Sequence, residues 1–214
     1  MAYENTFPLE AIRDKSLATA RKMGFPTNDS LPLLDDIEST KTAGEVVDRL
    51  LCIFVAAGIS YGFEREKARA WLRSENLFGK LTPFEREFIE NDKGSHPVFE
   101  FEIEAMWALA WILGVIPRLD FNKECSNRFA EMLPNVRLGE SSKAFRATVE
   151  LRPRLEIVAA CDLAYCLHWG IRQAAISTRT DLPGKVPPFV IEERRRALDW
   201  FLGNEPWHEW PLDT

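Results

Sequence analysis

Apolar residues recur along this chain at intervals of three and four, and two-residue alternation is scarce, a pattern that predicts helices and few strands. In PLEAIRDKSLATARKMGF (8–25), Leu9, Ile12, Leu17, Ala20 and Met23 fall at helical spacing, and Gly24 offers a natural stop. A Pro- and Asp-rich connector follows, then a strongly apolar helix over 42–59 that Gly58 would end, and a more polar helix over 64–77. LTPFEREFIEN (81–91) carries the clearest start signal: Thr82 as N-cap, Pro83 at the first helical position and Glu85 completing a capping box. The stretch 99–114 is apolar on nearly all sides and reads as a buried helix closed by Gly114.

A short helix is expected near 124–133, while KAFRATVELR fits helix or strand. The stretch 153–176 reads as a long helix with Pro153 in its first turn, and 189–203 as the last helix, with Gly203 as its cap. The tail NEPWHEWPLDT reads as a segment packed onto the body. No repeat or linker marks a boundary, so the expectation is an all-α fold: a single-domain helical bundle (1–214) of about seven to nine helices. Its two buried central helices are 99–114 and 153–176.

Charge narrows the partners. The net formal charge of the 214 residues is -6. Residues 1–110 hold 13 Lys and Arg against 19 Asp and Glu, whereas residues 111–214 hold 14 of each. An acidic chain without a basic stripe is a poor ligand for nucleic acid or an anionic membrane, and a basic protein is the better electrostatic partner. The longest apolar run, LLCIFVAAGI (50–59), is too short to span a bilayer. The N-terminus lacks a basic region followed by an apolar core, and the four cysteines form no CxxC pair, so reduced thiols in the cytoplasm are expected.

Candidate chemistry concentrates in CDLAYCLHWGIRQA (161–174). At about 100° per residue, Cys161, Tyr165, His168 and Arg172 form one stripe, and Cys166 sits roughly 140° from Cys161. The two thiols therefore cannot chelate one metal, and Cys161 and His168 are too far apart for a nucleophile–base pair, so no metal or cofactor is expected. The chain also lacks GxSxG, HExxH, GxGxxG and Walker A patterns. What remains is burial of polar groups: Glu156, Asp162, His168 and Arg172 crowd one apolar helix, and Glu104 lies in the other. A pairing of Glu104 with His168 or Arg172 across the two helices is the expected solution. EERRR (192–196) reads as one solvated face of an amphipathic helix, and Trp200, Trp207 and Trp210 as caps on the core.

Several segments together resemble a bacterial family known as domain of unknown function 4272. They are WLRSENLFGKLTPFEREFIE, EAMWALAWILG followed by Cys125, LRPRLEIVAACDLAYCLHWGIRQA, VIEERRRALDWFLG and the closing WHEWPLDT, in matching order over about residues 10–214. The resemblance implies no activity. Two family arginines are replaced, one at Glu102 in Phe101-Glu102-Ile103-Glu104-Ala105 and one at Cys166 in Tyr165-Cys166-Leu167-His168-Trp169. A family function that needed those guanidinium groups would be lost or altered here. The matching positions that remain are Glu104, Glu156, Asp162, His168, Trp169, Arg172, Glu193, Arg194, Trp200, Asp213 and Thr214.

The expectation is thus a non-enzymatic, protein-binding or accessory module, immunity-like in one form, with a basic protein partner. The alternative is a hydrolase-like enzyme or small-ligand binder using Glu104, His168, Arg172 and Asp162. A homo-oligomer stays open as a third role.

Overall fold

The structure, a computed structural model, describes residues 8–34, 41–94, 96–177 and 182–209. Among these residues it is helical without a strand. The elements are α1 (Leu9–Lys22), α2 (Ala43–Ser60), α3 (Arg65–Ser74), α4 (Pro83–Asn91), α5 (His96–Phe101), α6 (Ile103–Ile112), α7 (Lys143–Arg146), α8 (Arg154–Ile176) and α9 (Pro188–Leu202). Tight 3-10 turns at Phe78–Lys80, Phe129–Met132 and Val136–Leu138 join them. The all-α expectation is what the chain adopts. No helix among the described residues is long and apolar enough to cross a membrane.

The Thr82 capping box forms as read: Thr82 Oγ1 accepts the Glu85 amide at 3.2 Å, and Glu85 Oε2 accepts the Thr82 amide at 2.8 Å. Thr42 and Glu45 build a second one at the start of α2. That helix runs through Gly58 to Ser60 and turns at Gly62, whose φ of 81° is open to glycine. A lone glycine costs a helix only about 1 kcal/mol, and the buried face of α2 outweighs it.

The stretch 99–114 is not one helix. It breaks at Glu102, between α5 and α6, in a turn that keeps hydrogen bonds on both sides, from the Glu102 amide to the Val98 carbonyl and from the Met106 amide to the Glu102 carbonyl. The break lets Glu102 face the C-terminal segment, described below. At the far end of α6, Arg152 Nε donates to the Trp111 carbonyl at 2.7 Å and the Arg152 amide to that of Ile112 at 2.9 Å. The helix-or-strand segment thereby resolves into the short α7 and an extended piece that satisfies orphan carbonyls of α6.

The helices pack as a row. α1 lies on α8, α8 on α9, α9 on α6 and α6 on α2, with α3 and α4 flanking α2. Gly170 of α8 permits a close approach of the chain: a Cβ there would sit 2.9 Å from the Pro26 carbonyl oxygen. The expected direct crossing of the two central helices gives way to a different order, since α9 is the main neighbour of both α6 and α8. α6 is nearly all buried, and one connected core includes Leu50, Ile53, Leu109, Ile112, Val158, Leu167 and Leu198. Trp207 of the tail is buried against Trp200, ring centroids 5.5 Å apart and edge to face, so both cap the core as expected. Trp210 lies outside the described residues, as do Asp213 and Thr214.

Candidate functional site

Helix α9 repeats buried pairs at 190/191, 194/195, 197/198 and 201/202, the two-deep stripe of a core helix. Two of those positions are arginines. Arg194 and Arg195 are buried, which overturns the reading of EERRR as a solvated face. The stripe was legible, since both arginines stand four residues after Val190 and Ile191.

Arg194 is the partner of Glu104. Its Nε and Nη2 donate to Glu104 Oε2 at 2.9 and 2.6 Å, its Nη1 to the Asp120 carbonyl at 2.6 Å and its Nη2 to the Lys123 carbonyl at 2.8 Å. Glu104 Oε1 accepts the Cys125 amide at 2.7 Å. One buried pair thus pins the 120–125 loop between α6 and α9. The expected pairing of Glu104 with His168 or Arg172 does not form, because α9 lies between the helices and supplies its own cation.

His168 instead joins a chain along the α8–α9 seam. Arg195 Nη1 donates to His168 Nδ1 at 2.7 Å, and Arg195 Nε to Asp199 Oδ2 at 3.0 Å. The Cys161 thiol donates to Asp199 Oδ1 at 3.0 Å. A guanidinium only donates, so His168 is neutral with its proton on Nε2, directed at Glu192 Oε1 3.8 Å away. Burial, with Arg195, Arg172 and Arg196 nearby, pushes the His168 pKa down to about 4. Arg172 is exposed and Glu156 reaches the surface beside Arg152, so the crowding expected on α8 is relieved for two of its four polar groups.

Asp162 belongs to a third pair, with Arg13 of α1. Arg13 Nη2 and Nε donate to Asp162 Oδ1 at 2.7 and 3.1 Å, and its remaining donors hold the Leu31 and Pro32 carbonyls. Tyr165 lies between the two systems, with Arg13 and Arg195 over its ring at 5.5 and 4.9 Å. Sequence reasoning missed Arg13, although it stands four residues from both Leu9 and Leu17 on the buried stripe of α1.

A fourth cluster ties the tail to the break between α5 and α6. Glu102 Oε1 accepts Trp207 Nε1 at 2.9 Å and His208 Nε2 at 3.0 Å, and Thr82 Oγ1 bonds His208 Nδ1 at 2.8 Å. Arg49 and Glu85, both buried, pair beside it.

These bonds leave little for catalysis. Both oxygens of Glu104 and of Asp162 are engaged, the free nitrogen of His168 is an acceptor already in use, and Arg172 stands apart on the surface. Burial raises Cys52, Cys125 and Cys166 to about 12 and Cys161 well above its ordinary value, the opposite of an activated thiol. Glu193, half-buried and 3.2 Å from Arg196, is also raised by burial. No group of three or more His, Cys, Asp or Glu among the described residues is placed to hold a metal.

The best-formed concavity lies elsewhere. A half-open groove of about 650 Å3 runs between the C-terminal turn of α2, the first turns of α6 and the 129–140 segment with its two 3-10 turns. Phe54, Ala57, Phe63, Ile103, Met106 and Phe129 line it, and Tyr61, Glu131, Arg137 and Glu140 stand at its margin. Its walls come from three distant stretches of sequence, so no local motif announces it.

Compared with known proteins, residues 13–210 match the model of a family described as a domain of unknown function (DUF4272). No curated protein matches the chain, and no solved structure does.

Proposed function

Because the chain belongs to the domain of unknown function family DUF4272, whose description names no activity, we propose from the geometry that it is a non-enzymatic binding module acting through the α2–α6 groove. The observation that carries this reading is the groove itself, about 650 Å3 with a mainly apolar lining. Small-molecule sites have this size and composition, with a few polar groups at the edge to fix orientation. Phe54 and Ile103 are part-exposed on its wall, and Ala57, Phe63, Met106 and Phe129 are buried beneath them. The buried Glu104, His168 and Asp162 speak for a scaffold, since their bonding capacity is spent inside the fold.

The test is saturable binding of the neutral apolar dye Nile red to the folded chain. Ala130 lies on the exposed wall of the groove, so Ala130→Trp fills it from the solvent side. Binding at one site per chain that disappears in Ala130→Trp, with the unfolding transition kept, is the expected result. Undiminished binding in that variant would place the dye elsewhere and sink the reading.

A second reading, a basic protein partner, rests on the excess of 19 acidic over 13 basic residues in 1–110. Ion pairs within this half, Glu64 with Lys67, Glu66 with Arg69 and Asp92 with Arg65, each join one acid to one base and leave the acidic surplus as it is. Salt-sensitive, stoichiometric association with a defined basic protein would favour it.

A further inference from the structure

The groove's margin holds three charged side chains, Glu131, Arg137 and Glu140. Glu131 is occupied by Arg128, whose Nε and Nη2 both bond one of its oxygens, at 2.8 and 2.6 Å. Glu140 accepts the Asn135 amide at 2.7 Å. Glu140 keeps its charge, and Arg137, the one cation among the described lining residues, has no carboxylate partner among the described residues. Its Nη2 donates to the Tyr61 carbonyl at 3.2 Å and its guanidinium lies 5.6 Å over the Phe63 ring, so the fork is held at the mouth of the cavity. The other N–H donors of this exposed side chain have no acceptor among the described residues.

We infer that the groove takes an amphipathic small molecule: an apolar chain or ring system in the cavity and a carboxylate on Arg137. This rests on the groove being a binding site and adds the ligand's class. The stacked, planar fork matches a carboxylate's two oxygens in a way that a flexible ammonium does not. A phosphate or sulfate group, with three acceptor oxygens, asks for more donors than one guanidinium supplies. The apolar body supplies affinity, and the charge pair fixes which end enters.

The experiment is calorimetric titration of the full chain with dodecanoate, dodecan-1-ol and dodecyl phosphate, each below its aggregation concentration. Dodecanoate should bind about fivefold more tightly than dodecan-1-ol, the scale of one partly exposed charge pair at the upper end of its range. Arg137→Gln should erase that difference and leave the alcohol's affinity unchanged, Arg137→Lys should restore part of it, and added salt should shrink it. Equal affinities in the native chain, or a difference untouched by Arg137→Gln, overturns the carboxylate assignment while leaving the groove as a site. Tighter binding of dodecyl phosphate than of dodecanoate also overturns it. Failure of all three probes to bind removes the binding-module reading itself.

Discussion

The polar seam that α9 makes with α6 and α8, and the α2–α6 groove, are built from opposite materials. The seam packs arginines, carboxylates and a histidine into the interior and satisfies nearly every one of them, whereas the groove leaves aromatic and aliphatic side chains facing an unfilled space. A residue list alone ranks the seam first, because it holds the titratable groups. Geometry reverses the order: groups that are fully bonded to one another hold helices in place, and an unfilled apolar space is what another molecule can use.

The strongest way to break this comparison is to remove one partner of a seam pair. Glu104→Ala leaves the Arg194 guanidinium buried without its carboxylate and should cost about 3–5 kcal/mol in urea unfolding. Adding Arg194→Met should recover about half, since the Asp120 and Lys123 carbonyls still lose their donor. A loss under about 1 kcal/mol from the single change would mean the pair is not the clamp described here.

A gentler probe is pH. The folded His168 takes up a proton only near pH 4, against an ordinary value of 6.5, so between those values the unfolded chain binds the extra proton. Its contribution is therefore whole above pH 6.5 and is lost progressively down to pH 4. After allowance for partial solvent screening the loss is about 2 kcal/mol. His168→Gln keeps an acceptor for Arg195 and should remove that part of the slope, measured as the difference between two stability–pH curves. Superimposable curves would show that His168 does not feel its surroundings.

On the groove side the expected stability effects are smaller. Ala130→Trp should change unfolding free energy by no more than about 0.5 kcal/mol, while abolishing dye binding. Smallest of all is thiol chemistry. In the native state at pH 8 the buried Cys52, Cys161 and Cys166 should resist Ellman's reagent, and the partly exposed Cys125 should react first but slowly. A fast-reacting thiol would identify an activated cysteine that burial argues against.

Much of the fold was legible because helices announce themselves through spacing and caps. Thr82, Pro83 and Glu85 placed α4 to the residue, and the apolar density of 103–112 placed α6 in the core. Helix order in space was not legible. Glu104 was recognised as a buried acid, yet its cation was sought on α8, since nothing local tells which of two apolar helices will neighbour a third. Arg194 and Arg195 were read as a surface run because charge was weighed above their position in the stripe of α9. The groove required three segments to be assembled, and side chains such as Phe54, Met106 and Phe129 look no different in sequence from core residues.

One feature bears on how this chain comes off the ribosome. Arg194 follows Glu104 by 90 residues, which translation covers in about 5–18 seconds. Throughout that interval α6 lacks the helix that neutralises Glu104, and once α8 has been made His168 and Cys161 also wait for their α9 partners. Protease resistance of stalled nascent chains should therefore rise only once residues up to Leu202 have cleared the exit tunnel. Chains arrested before Pro188 are then natural clients for chaperones, and the helix made late is the one that ends their exposure.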